Sequence, residues 1–390
     1  MHRVALAIVL VFSGSLRAAD HRVTDVMGLR RAMAAAKPGD RVLLAPGNYI
    51  GNHFFKNVHG SAGKPIVIAA ADPERPPKLT GDTICLQLSG TSHVELRDLV
   101  LGGSKDNALN IDDGGNPDTP AHHITLKNIR IADVGPNGNV DGIKLSGVDD
   151  FQVVDCTVER WGAGGSGIDM VGCHRGELRG CTFTKGGANA VQMKGGSSDI
   201  AVRKCRFEDC GERGINIGGN TGADSFRPPL KSMPADGRCE AKDIRVEGCT
   251  FFGGSAAIAC AGVDGAVIRF NTIVRPEKYA LRILQENTGE GFVPCRKGTF
   301  ESNIVVFNSE KWGGVNVGPN TAAESFTFAK NWWHCEDRPE RSKPSLPVAE
   351  AGGEYGRDPQ FRDAAKKDFR PAAGTPAATR GADAWTEKKK

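Results

Sequence analysis

The sequence predicts an all-β solenoid, a right-handed parallel β-helix with a short N-terminal capping helix. Three observations carry that prediction. One short pattern recurs nine times: CLQLSG from Cys85, ALNIDD from Ala108, GIKLSG from Gly142, GIDMVG from Gly167, AVQMKG from Ala190, GINIGG from Gly214, AIACAG from Ala257, ALRILQ from Ala280 and GVNVGP from Gly314. The steps from Gly142 to Gly167, Ala190 and Gly214 are 25, 23 and 24 residues, the period of one coil of a solenoid. Between these copies lies a second series, running from VELRDLVL (94–101) through FQVVDCTV (151–158) and IAVRKCRF (200–207) to GTFESNIV (298–305). Each member reads as two short strands meeting at a corner, so stacked copies build parallel sheets along an axis.

The remaining elements follow in chain order. Residues 1–19 read as an export leader: Arg3 is the charged start, Val4 to Phe12 the apolar run, and Ala18 and Ala19 the small residues that suit cleavage. That run is too short to span a bilayer, which predicts a secreted or periplasmic protein with no membrane span. Removing Arg3 and Arg17 lowers the formal charge from +4 to +2, too weak a field to attract nucleic acid. Leu29 to Ala35 reads as a short amphipathic helix that caps the open end of the solenoid and its unpaired strand edges. The β-helix domain is expected over 20–375. A C-terminal tail is expected over 376–390, ending in TEKKK. The chain is expected to be a monomer.

Eleven cysteines in an exported chain ordinarily suggest disulfides, but here the repeat accounts for four of them. Aligning the second series places Ile129, Cys156, Cys181, Cys205, Cys249, Asn271, Asn303 and Asn331 at one corner position. A column of small buried thiols passing into an asparagine ladder is a packing device. Cys210, Cys239, Cys295 and Cys335 fall in segments read as loops, where pairing stays open.

In the first series the second and fourth positions are apolar and the third, Ala259 apart, is polar: Gln87, Asn110, Lys144, Asp169, Gln192, Asn216, Ala259, Arg282 and Asn316. Alternation puts the polar set on the outer face of one sheet, joined from the fifth position by Lys194. Neighbouring coils lie about 4.8 Å apart, so Lys144, Asp169 and Gln192 span only about 10 Å. Plain solvation of a sheet face would favour threonine and serine over this mixture of lysines, a carboxylate, amides and an arginine. The long insertions 218–242 and 285–297 border the stripe and describe a groove for an extended polymer. Substrate contacts are expected from Lys144, Gln192, Asn216, Arg282 and Gln285. Arg213 is expected at the groove edge, one coil from Lys194. The pair His174–Arg175 reads as a structural turn. No metal motif appears in the sequence.

Two stretches resemble the family-six polysaccharide lyases, the group of chondroitinase B and the alginate lyases. They are AMAAAKPGDRVLLAPGNY with the following GSAGKPIVIAAADPERPPKLTG, and VQMKGGSSDIAVRKCRFEDCGERGINI. The resemblance places Lys194 on that family's Brønsted base. It implies an acidic, uronate-containing polysaccharide as substrate and β-elimination as the reaction; the reading of the stripe adds Arg213, as partner of the uronate carboxylate, and Asp169, as orienter of Lys144 or as an acid, to the expected catalytic set with Lys194. That family's arginine partner falls near Gly218, where this chain offers Arg213 five residues earlier. Its calcium-binding glutamates fall near Gly187 and Asn189, so no cofactor is expected. Two rivals stand beside the lyase. A glycoside hydrolase on the same fold needs two carboxylates about 5–10 Å apart, and Asp169 has only Asp112 two coils away and Asp141 in a loop. A non-catalytic carbohydrate-binding protein would present exposed aromatic platforms, which the stripe lacks.

Overall fold

A computed structural model describes residues 18–387 except 235, 311 and 313; of the leader expected over 1–19, residues 1–17 lie outside the described residues. The chain forms strands in threes. In one coil, Ser166–Val171 is followed by His174–Arg179 and Thr182–Thr184, and the next coil opens with Asn189–Lys194. Equivalent strands of successive coils pair in parallel and build three sheets of ten, twelve and twelve strands. We refer to them as the floor sheet, the long-strand sheet and the short-strand sheet. The floor sheet begins one coil earlier than the repeat suggests, with His53–Lys56, whose HFFK lacks the small first residue of the later copies.

Register follows the pattern. Lys144 pairs with Asp169, Asp169 with Gln192, Gln192 with Asn216, Asn216 with Ala259, and Ala259 with Arg282. A one-residue slip would send every apolar side chain outward, so the buried face holds the register. In AVQMKG, Val191 and Met193 are fully buried while Gln192 and Lys194 reach the surface.

Each turn from the long-strand to the short-strand sheet places one residue in the left-handed region. Asp98, Asn128, Asp155 and Lys204 adopt φ of 51–58° there, as does Gly180 at 66°. Aspartate, asparagine and glycine tolerate this conformation at the least cost, which explains their frequency at the corner. Directly after it comes the expected column. Cys156, Cys181, Cys205 and Cys249 are buried, and their thiols reach the carbonyls of Leu126, Val153, Leu178 and Val202 at 3.4–3.8 Å. The column continues as an asparagine ladder: Asn271 Nδ2 donates to Asn303 Oδ1, and Asn303 Nδ2 to Asn331 Oδ1, each at 3.0 Å. Glu350 ends the ladder by accepting from Asn331 Nδ2 at 2.7 Å, and it also takes bonds from Trp333 and Tyr355. Phe183, Phe207 and Phe251 stack beside it with centroids 5.1 and 4.6 Å apart.

All eleven cysteines are free and buried. This corrects the loop assignment of Cys335, which ends the strand Trp332–Cys335, and leaves Cys210, Cys239 and Cys295 unpaired. Denaturation without reductant is therefore expected to expose eleven labelled thiols. Pairing between any two of Cys156, Cys181, Cys205 and Cys249 would contradict the column.

Both ends are covered. Helix Val26–Ala35 buries Leu29, Ala32 and Met33 over the first coil, and Asp25 caps it by accepting from the Gly28 amide at 2.6 Å. At the far end Leu346, Val348 and Tyr355 pack on the inner core, while an antiparallel pair, Phe361–Asp363 with Asp368–Pro371, lies on the outer face of the short-strand sheet, with Phe369 against Ile304, Val306 and Trp332. Residues beyond 376 lie along the outside of the solenoid: Arg380 donates to the Lys330 carbonyl and Glu387 pairs with Arg179 at 2.8 Å. No helix among the described residues is long and apolar enough to cross a membrane.

Candidate functional site

Lys194 closes its strand because Gly195 and Gly196 follow it with φ of 64° and 84°. A Cβ on Gly195 would lie 2.8 Å from Val171 and 3.1 Å from the Ser225 carbonyl, so only glycine admits the neighbouring insertion this close. That insertion folds back over the floor sheet and is anchored there twice. Glu240, fully buried, accepts from the Gly195 amide, the Thr221 amide and hydroxyl, and Asn287. Arg227 bonds the Gly172 carbonyl at 2.8 Å and forms an ion pair with Asp149. His174 Nε2 donates to the Arg227 carbonyl at 3.2 Å, and burial, then the Arg227 charge, hold its pKa down to about 4; it opens the strand His174–Arg179 where a turn was expected, and its role is structural.

The result is a cleft of about 440 Å³ at the C-terminal ends of the floor strands. Lys144, Ser146, Val171 and Lys194 form its floor. Asp113 to Pro117 wall one side and Asn220 to Arg227 the other. Its volume lies within the range of about 300–1,000 Å³ that ligand sites occupy.

Beneath the floor lies a cluster of charges. Lys144 Nζ is paired with Asp169 Oδ2, and the same ammonium lies 3.6 Å from Asp141 Oδ2. Lys194 Nζ approaches Asp169 Oδ2 at 3.4 Å. The lysine side chains are 21% and 20% exposed, the carboxylates of Asp141 and Asp169 3% and 1%. The ammonium groups therefore face the cleft and the carboxylates lie under them. Burial works to lower the Lys144 pKa, but Asp169 and Asp141 outweigh it and raise it, so this lysine stays a cation. Asp141 moves the other way: burial, then the like charge of Asp169, push it up from 3.8 to about 6, against the pull of Lys144.

A folded Asp141 that takes up its proton near pH 6, against 3.8 when unfolded, adds stability that is full below about pH 3.8 and is lost as pH rises through about 6. Asp141→Asn removes this dependence. The variant is expected to gain about 2–3 kcal/mol on the wild type between about pH 4 and about pH 7, read from urea midpoints. A constant difference across that range would mean that Asp141 is not the titrating group.

Several expected contacts are placed elsewhere. Asn216 is buried: its amide donates to the Gly218 carbonyl at 3.3 Å and its oxygen accepts from Arg213. Gln192 is engaged by Ser166, Asn189 and the Gly218 carbonyl, with Gly219 packed above it. Gln285 braces its own insertion by bonding the Cys295 amide and the Asn287 carbonyl, each at 2.7 Å. The insertion thus covers the middle of the stripe, and the expected continuous groove from Lys144 to Arg282 is interrupted. Arg282 stands beyond the break, over the Tyr279 ring and bonded to Asn316. Arg213 pairs in register with Asn189, at the opposite end of the strand from Lys194. Its guanidinium is held by Glu286 at 2.7 Å and Asn216 at 2.8 Å, which replaces the expected partnership with Lys194.

Glu240 and Arg227 were not anticipated, and Asp141, set aside in the sequence as a loop residue, joins Asp169 beside Lys144. Asp141 occupies the position just before the small first residue of its copy, where later copies carry Ser166, Asn189 and Arg213. Reading that column as a second polar set would have found it. The calcium position implied by the resemblance is not built: Gly187 packs against the Gly162 carbonyl, and Asn189 turns its amide nitrogen toward Gln192. Neither offers a carboxylate.

A family model for the right handed beta helix region matches residues 84–226. No curated protein matches the chain. Among solved structures, the fold is similar to a rhamnogalacturonan lyase, with a TM-score of 0.57 at 14% identity over 82% of this chain and 84% of that one. It is similar to an alginate lyase from Paenibacillus sp. str. FPU-7, with 0.54 at 17% over 78% and 96%. Pectate lyase Pel9A gives 0.54 at 13% over 93% and 91%. At these identities the likeness is one of fold, and it agrees with the right-handed winding expected of parallel crossovers.

Proposed function

We propose that this right-handed parallel β-helix is an exported polysaccharide lyase that cleaves an acidic, uronate-containing polymer by β-elimination in the cleft over Lys144 and Lys194. The observation that carries this reading is the layering of the charge cluster, with two ammonium groups facing the cleft and two carboxylates buried beneath them. An acidic polymer meets cations first. Lys144, kept protonated by Asp169 and Asp141, neutralises the uronate carboxylate and makes the carbon 5 proton more acidic. Lys194 in its amine form takes that proton; the C–H electron pair becomes the C4–C5 double bond and the C4–O bond breaks. The leaving oxygen takes a proton from solvent. Asp169, touching both lysines, sets their spacing. Lyase activity in the three superposed enzymes and the leader pattern of residues 1–19 support the same reading.

The test is a screen of purified protein against alginate, chondroitin, pectate and glucuronans, followed by ultraviolet absorbance of unsaturated ends. A second reading rests on one observation, the Asp141 pKa of about 6 beside Asp169, which suits a general acid of a glycoside hydrolase. It predicts new reducing ends without unsaturation. Burial of both carboxylates under Lys144 places it second.

A further inference from the structure

On the long-strand sheet, His93 lies on Ser92–Arg97, and His122 and His123 on the neighbouring strand Ala121–Lys127. One ring nitrogen from each of the three lies within 4.8 Å of the others. We propose that His93, His122 and His123 form a binding site for a transition-metal dication of the zinc, copper or nickel type, separate from the lysine cleft.

Three features of the cluster point to an ion. His122 Nδ1 and His123 Nδ1 share a hydrogen bond at 2.8 Å, so two nitrogen lone pairs already converge on one point, where an ion would take the place of the shared proton. Donors 2.0–2.1 Å from a tetrahedral ion stand about 3.4 Å apart, and the three ligand nitrogens already lie within 4.8 Å of one another, so ring rotations suffice to gather them on one ion. The His93 and His123 rings stack at 4.4 Å, with His122 edge-on to both. Such crowding is unfavourable for imidazolium charges and favours neutral, ligating rings.

The bland account is backbone preference. His93 and His123 have φ of 51° and 55°, a region where histidine is enriched. That account fails for His122, which has ordinary strand geometry and still completes the set. It also fails along the column, where the equivalent left-handed positions are Asp150, Arg175 and Asp199. An all-imidazole donor set selects borderline transition ions over calcium or magnesium, which prefer oxygen. Three protein ligands leave a fourth position for water. The strand bearing His122 and His123 follows the 113–120 segment, whose first residues wall the lysine cleft, so a bound ion would anchor that wall from behind.

Titration calorimetry of the full, tag-free chain with zinc chloride alone tests the site. One saturable site per chain is expected, with calcium and magnesium failing to compete. Copper(II) bound to the same protein is expected to show nitrogen hyperfine coupling in its electron paramagnetic resonance spectrum. His93→Asn and His123→Asn keep a residue that tolerates positive φ and remove the ligand; each is expected to weaken zinc at least tenfold with an unchanged circular dichroism spectrum. No saturable zinc binding by the wild type would overturn the proposal. Equal binding by the wild type and by the combined His93→Asn, His122→Gln, His123→Asn variant would overturn it too, since the ion would then lie elsewhere. Neither result bears on the lysine cleft.

Discussion

Lys194→Ala is expected to fold like the wild type and to lose about 10²–10⁴-fold in the rate of forming unsaturated ends, the contribution of a positioned proton acceptor. The side chain stands at the end of its strand on the solvent side of the floor sheet, so its removal leaves Val191 and Met193 in the core untouched. Its charged partner among the described residues is Asp169 at 3.4 Å, which Lys144 continues to hold. Lys194→Arg separates charge from basicity. A guanidinium preserves the cation but does not release its proton in the accessible range, so this variant is expected to bind the polymer and remain inactive. A loss below tenfold in Lys194→Ala, or an active Lys194→Arg, would assign Lys194 to binding alone.

Asp169→Asn is expected to destabilise the protein by about 3 kcal/mol and to abolish turnover. Taking one partner from a buried ion pair leaves a charge without compensation, which typically costs about 3–5 kcal/mol. Here Asp141 remains 3.6 Å from Lys144 and keeps the expected cost at the lower end. The effect on rate comes from geometry: without Asp169 the two ammonium groups lose the atom that fixes their spacing and they repel each other. Adding Lys144→Met to Asp169→Asn removes the stranded charge, so urea denaturation is expected to recover most of the stability while activity stays absent. An Asp169→Asn variant as stable as the wild type would mean that the pair is worth no more than an exposed one.

Alternation of apolar and polar residues was enough to place Lys144, Asp169, Gln192 and Asn216 in one register column, because the period-two rule and the repeat length leave no other pairing. The same alignment placed Cys156, Cys181, Cys205 and Cys249 in a stack that runs into Asn271, Asn303 and Asn331. The site was less legible. Arg213 and Lys194 look close when counted in coils, yet they sit at opposite ends of their strands, and distance along a strand is as large as distance between several coils. Gln285 looked available because it opens an insertion, whereas its amide closes that insertion.

By itself, then, the amino-acid sequence determined the solenoid, its register, its buried columns and the lysines on its outer face, since each of these repeats and follows from side-chain periodicity. Tertiary structure alone decided which part of that face is open. The 218–242 insertion has no period. Its course is set by single contacts, Glu240 to Gly195 and Thr221, and Arg227 to Gly172 and Asp149, between residues 19 to 78 positions apart. Those contacts cover Gln192 and Asn216 and leave Lys144 and Lys194 facing solvent above Asp141 and Asp169. Long-range polar pairing of this kind leaves no trace in local pattern, because the energy depends on where the chain returns and not on what lies next to it.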